Sequence, residues 1–117
     1  MSPKGAEMAD MIRAELRMRV RPGCEDAFER AWREAAKEIA QVPGNLGQAL
    51  IRDLTDPRTY VITSDWVDRQ RLEAFGGSDH RERLTTALRD LREDAQRRVY
   101  EVRDAITGPC LTSTEDA

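Results

Sequence analysis

"MIRAELRMRVRPG" (residues 11–23) decides how the rest of the chain is read. Ile12, Ala14, Leu16, Met18 and Val20 alternate with Arg13, Glu15, Arg17, Arg19 and Arg21. A period of two puts every apolar side chain on one face of a strand and every charge on the other. Pro22-Gly23 stops the strand. The next stretch, "EDAFERAWREAAKEIAQ" (residues 25–41), switches to helical spacing through Phe28, Ala31, Trp32, Ala35 and Ile39. Its acidic first turn complements the helix dipole. Pro43-Gly44 ends it.

The pattern then returns to strands. "NLGQALIRD" (residues 45–53) and "TYVITSDW" (residues 59–66) flank an Asp56-Pro57 turn, and a link this short makes an antiparallel hairpin. Residues 68–75 read as a helix broken by Gly76-Gly77. Ser78 caps a further helix with Leu84, Leu88 and Leu91 on one face. Residues 97–106, "RRVYEVRDAI", alternate again. The order β-α-β-β-α-β is the α+β, ferredoxin-like arrangement, with a four-stranded antiparallel sheet and the helices on one face. The opposite face is expected to carry Arg13, Glu15, Arg17, Arg19, Thr63, Asp65, Glu101 and Arg103, with Val61 and Val99 among them. Such a mixed face is either solvated or meets a second copy across a two-fold axis; the expectation is a homodimer through this open sheet face.

At 117 residues the chain suits one domain, with 39% hydrophobic and 35% charged residues and a net charge of −3. That balance argues against a nucleic-acid or membrane partner. No stretch is apolar enough to span a bilayer, and "MSPKGAEMADM" has no signal-peptide core, so a cytoplasmic protein is expected. The expected layout is a disordered lead-in (residues 1–10), a folded domain (11–107) and a polar tail (108–117). Cys24 and Cys110 lie far apart with no His beside them. Neither a redox pair, a metal site, a phosphate loop nor a nucleophile triad is visible.

Five motifs occur in order: the Pro-Gly after the first strand, the Pro-Gly-x-x-Gly before the second, the Asp-Pro hairpin, the Trp closing the third strand, and the Ser-x-His opening the later helix. With the pieces "RVRPGCEDAFERAW", "VPGNLGQALIRDLTDPRTYVITSDW" and "RLEAFGGSDHRERL", they resemble the antibiotic biosynthesis monooxygenase superfamily over residues 11–106. The resemblance implies a bacterial protein with the dimeric α+β barrel fold. It also implies a cofactor-independent monooxygenase of aromatic polyketide metabolism, oxidising a phenol or anthrone to a quinone with O2. The substrate itself is then the reductant, so no cofactor and no metal are expected. The alternative is a non-catalytic polyketide-binding or cyclase-assisting dimer. Haem binding is a lesser reading: the haem-degrading branch has Asn, Trp and His where this chain has Leu16, Phe75 and Thr85. The anthrone-oxidising branch keeps a Trp at Trp66, but its Asn and Tyr positions hold Ile62 and Leu72 here.

The candidate residues lie mainly in residues 60–80. Trp66 is either core or a wall that stacks a flat ligand. His80, the only histidine, is either a solvated helix-start residue or the general base that takes the substrate's proton. Met18, Tyr60 and Phe75 are the expected substrate-binding walls, and Gly76-Gly77 is either a lid hinge or a plain helix break.

Overall fold

The computed structural model describes residues 10–110. The expected lead-in, apart from Asp10, and the tail from 111 onward lie outside them. The strands are β1 (Ile12–Val20), β2 (Asn45–Arg52), β3 (Thr59–Trp66) and β4 (Arg92–Glu101); the helices are α1 (Glu25–Ile39), α2 (Arg69–Gly76) and α3 (Asp79–Arg89). The sheet order is β2-β3-β1-β4, antiparallel throughout. The fold is the α+β ferredoxin-like one that the sequence predicts.

Both Pro-Gly pairs build the same device. Cys24 N–H donates to Arg21 O (3.0 Å) and Asn45 N–H donates to Val42 O (3.1 Å), closing a four-residue turn around each pair. Gly23 and Gly44 have φ of 82° and 94°. Proline in second place and a left-handed glycine in third define a type II turn. At Gly44 space is short as well, since a Cβ would run into the Arg71 side chain.

The apolar series of β1 faces the helices as expected. Ile12, Met18 and Val20 pack with Tyr60, Ile62 and Trp66 of β3 and with Phe28, Ile39, Leu72, Phe75, Leu84 and Leu88 of the helices. Helices from both halves therefore cover one face of the sheet. α2 and α3 are separate pieces with their own caps. Asp68 accepts from Arg71 N–H (2.9 Å), and Ser78 Oγ accepts from Arg81 N–H (3.2 Å) while donating to Phe75 O (2.6 Å). Gly77 closes α2 and Ser78 caps α3 directly after it, so the chain turns a corner here.

β4 differs from the sequence reading in span and facing. It runs over Arg92–Glu101, not 97–106. Its register sets Ala95 opposite Met18, Arg97 opposite Leu16 and Val99 opposite Ala14. Paired residues share a face, so Arg97, Val99 and Glu101 lie on the helix side. The open face receives Gln96, Arg98 and Tyr100 instead. The cause is physical: β4 is an edge strand with little apolar contrast between its faces, and a one-residue slip flips every side chain. The charges of the open face also pair within the chain. Arg13 forms a two-pronged bond to Asp65 (2.7 and 3.1 Å), and Arg19 lies 3.5 Å from Asp56.

Candidate functional site

A cavity of about 270 Å³ opens between the sheet and the α2–α3 corner, just below the ~300–1,000 Å³ usual for small-molecule pockets. Its walls are largely apolar. Leu16 and Ile62 rise from the sheet, Leu72 and Phe75 come from α2, and Leu84 comes from α3. Gly76, the last residue of α2, also lines it and has no side chain to fill the space.

Behind the Phe75 wall lies Trp66. The two rings stack at 5.0 Å with 30° between planes. Trp66 has no exposed surface, so it touches the cavity only through its neighbours. Its indole Nε1–H donates to Ser64 Oγ at 3.0 Å, and Ser64 lines the cavity. An indole donates but cannot accept. The bond therefore occupies an acceptor site on Ser64 and leaves the hydroxyl proton available to a ligand oxygen.

Besides Ser64, the polar lining holds Glu15 and two cations, Arg81 of α3 and Arg97 of β4. Burial, then the charges of Arg97 and Arg92, push the Arg81 guanidinium below its ordinary value.

Of the five residues proposed from sequence, Phe75 alone lines the cavity. Met18 and Tyr60 are 2% and 1% exposed and belong to the core. The Tyr60 ring packs at 5.2 Å on Phe28, and its hydroxyl donates to Glu29 Oε2 (2.7 Å). Burial, followed by that hydrogen bond, raises the Tyr60 hydroxyl above its ordinary value. His80 projects from the opposite side of α3 into a shallow groove against α1. There its Nδ1 lies 3.0 Å from Arg83 Nη2 and 3.9 Å from Glu38 Oε1. The expected wall of Met18, Tyr60, Trp66 and Phe75 is thus corrected to Phe75 in front with Trp66 behind. Met18 and Tyr60 lie elsewhere because their part of the sheet is sealed by Phe28 of α1.

Leu72, like Leu16 and Ile62, stands where the resemblance places a polar residue of a related branch, whereas Ser64, Arg81 and Arg97 were not singled out from the sequence. Two carried a legible signal. Ser64 is the polar member of the inward series Tyr60, Ile62, Ser64, Trp66. Arg81 lies three residues before Leu84, on the apolar side of α3. Arg97 carried none, since its facing follows from the β4 register. Among the described residues no group of three or more His, Cys, Asp or Glu side chains is placed to hold a metal ion, and no helix is long and apolar enough to cross a membrane.

Residues 11–87, well over half of the chain, match the antibiotic biosynthesis monooxygenase family. The chain belongs to that family. A curated relative, the 42.8 kDa protein in the whiE locus of Streptomyces coelicolor, is 29% identical over 83 residues, or 68% of this chain and 21% of that protein. The chain therefore spans about a fifth of its curated relative's length. Among solved structures it is similar to SnoaB, a cofactor-independent oxygenase from Streptomyces nogalater, with a TM-score of 0.76, 23% identity, and 86% of this chain and 100% of that one covered. It is similar too to a conserved protein from Methanosarcina mazei, with a TM-score of 0.77, 17% identity, and coverage of 83% and 97%. At these identities the likeness to solved members establishes the family's fold, and the cavity residues have to carry the chemistry.

Proposed function

We propose that this antibiotic biosynthesis monooxygenase family member oxidises an aromatic polyketide, a phenol or anthrone, to a quinone with O2 and without a cofactor. The observation that supports this most is the ring of Phe75, fixed by Trp66, in an aliphatic cavity whose serine hydroxyl is oriented by the same tryptophan. A flat electron-rich ring slides against Phe75. Its oxygen accepts from Ser64, and leucine and isoleucine side chains keep water from the reacting carbon. For an anthrone, the ring CH2 becomes C=O. One oxygen atom of O2 stays in the new carbonyl, the other leaves as water with both ring hydrogens, and the substrate supplies all four electrons. Here the protein's part is to bind, orient and exclude solvent. In this reading Phe75 is the wall that touches substrate. Trp66 positions, Met18 and Tyr60 act no closer than through the core, and His80 stands outside the cavity in the groove against α1.

Binding without catalysis is the second reading. It is favoured by the placing of His80, which leaves the cavity without an imidazole base. Oxygen uptake separates the two. With chelator-treated protein and a panel of anthrones and hydroquinones, the oxygenase reading expects uptake above the spontaneous rate, reduced in Phe75→Ala and Ser64→Ala. Saturable binding of the same compounds with no added uptake would leave the binding dimer.

We also propose that the partner is a second copy of this chain, seated on the open sheet face. Ile51 and Tyr100 are 51% and 43% exposed there, Tyr100 opposite Arg13 and Ile51 opposite Val61. Sedimentation should give a dimer that Tyr100→Arg with Ile51→Asp converts to a monomer.

A further inference from the structure

Apolar side chains make up somewhat more than half of the cavity's lining, and its polar groups include two cations, Arg81 and Arg97, beside Ser64 and Glu15. Arg81 and Arg97 approach it from different elements, and the charge of Arg92 reaches Arg81. Unpaired arginines are ordinary on an open surface, where water solvates them. Arg81 is partly buried instead. Among the described residues its side chain makes one hydrogen bond, from Nη1 to Thr85 Oγ1 (3.1 Å), of the five a guanidinium can donate. No carboxylate lies within ion-pair distance of Arg81, Arg92 or Arg97 among the described residues, whereas Arg13, Arg58 and Arg83 all have one. Glu82 is the acidic group that acts on Arg81, and it acts less than either arginine. Glu15 also contributes to the lining, but its side chain belongs to the outward series of β1, where its charge acts on Arg13. The chain thus gathers positive charge against the cavity and, among the described residues, sets no carboxylate in an ion pair with it.

We propose that the cavity takes its aromatic ligand as an anion, whose oxygen is held by Arg81 and Arg97. The proposal rests on the reading of this cavity as the ligand site. The recognised chemistry is an anionic oxygen beside a flat ring. Its source is either a carboxylate on the ring or an ionised ring hydroxyl, and a planar guanidinium pair suits both.

Calorimetric titration with three two-ring probes tests this: 2-naphthoate, neutral 2-naphthylmethanol, and 2-naphthol at pH 7 and pH 10. A charge-assisted contact of this kind makes 2-naphthoate bind about tenfold to a hundredfold tighter than 2-naphthylmethanol. Arg81→Gln with Arg97→Gln removes that advantage, and 2-naphthylmethanol, whose hydroxyl a glutamine amide can still serve, loses far less. A gain for 2-naphthol at pH 10, lost in the same variant, identifies an ionised hydroxyl as an accepted source; a preference confined to 2-naphthoate identifies a carboxylate. Arg97 is exposed on an edge strand, so Arg97→Gln alone keeps the test open if the double variant does not fold, with a smaller loss expected. Equal affinity for the charged and neutral probes, or a preference that survives both variants, overturns anion recognition. In that case the cavity reading stands as long as 2-naphthylmethanol binds saturably. No saturable binding of any probe overturns both.

Discussion

Trp66 and Ser64 offer a test in which the smaller deletion is the one that leaves a partner stranded. The Trp66 side chain has no exposed surface, and its Nε1–H donates to Ser64 Oγ at 3.0 Å. Ser64→Ala removes one oxygen but strands a buried indole N–H, which costs about 1–3 kcal/mol. Trp66→Phe removes the donor itself. Ser64 borders the cavity and can turn its hydroxyl to a ligand or water, so the lost bond costs about 1 kcal/mol. The smaller ring adds roughly another 1–2 kcal/mol, a fraction of the ~3–5 kcal/mol for full truncation of a buried aromatic. In the double variant no indole N–H remains to strand. Its cost should fall short of the sum of the singles by about 1–3 kcal/mol, the stranding penalty that the double variant avoids. Urea unfolding followed by far-ultraviolet circular dichroism measures all four corners, because fluorescence would change with Trp66 itself. Agreement of the double with the sum to within about 0.3–0.5 kcal/mol would mean the two side chains are independent. The account of Ser64 as a hydroxyl oriented by Trp66 would then be wrong.

Gly76 lines the cavity rim, and a Cβ built there meets nothing within 4 Å. Gly76→Leu should therefore fold with equal or slightly greater stability, gaining up to about 1 kcal/mol in helix propensity. It should also raise KM or weaken probe binding by narrowing the mouth; a fall in kcat at unchanged KM would point to a hinge instead. His80→Ala should leave oxygen uptake and probe affinity within about twofold, well under the factor of 10²–10⁴ expected for a lost general base. A loss of that larger size would restore His80 to the mechanism. Asp56 accepts from Thr59 Oγ1 (2.8 Å) and from Arg58 N–H (3.2 Å), and these bonds, the Thr59 one first, hold its carboxyl below its ordinary value. A lowered folded-state pKa gives stability that is present above the unfolded value of about 3.9 and is lost as pH falls below it. Thermal melts should show Asp56→Asn to be less stable than the parent at pH 6, with the gap closing toward pH 3.

The period-two alternation of residues 12–20 fixed the first strand and its buried face without help from anything distant, because strand geometry turns spacing directly into sidedness. The Pro-Gly turns, the Asp-Pro hairpin and the Ser78 cap were equally legible, since each is closed by bonds between residues at most a few positions apart. Their order along the chain then sufficed for the fold. The position of the cavity was partly legible too. The sequence pointed to the handover from β3 to α2 and α3, and Phe75, with Trp66 behind it, stands there. Met18 and Tyr60 share the inward series with Ile62, so spacing could not tell which would be sealed. That depended on Phe28 arriving from α1. His80 was singled out for its chemistry, but which flank of α3 meets the sheet is set by Leu84 and Leu88 packing inward, and this turns His80 toward Glu38. Arg97 was beyond any local reading. Its place opposite Leu16 comes from the pairing of an edge strand whose two faces look alike. Local spacing determined the elements and their buried faces. The site's charge needed tertiary structure, because Arg81 and Arg97 are sixteen positions apart on different elements and meet only when β4 pairs with β1 under α3.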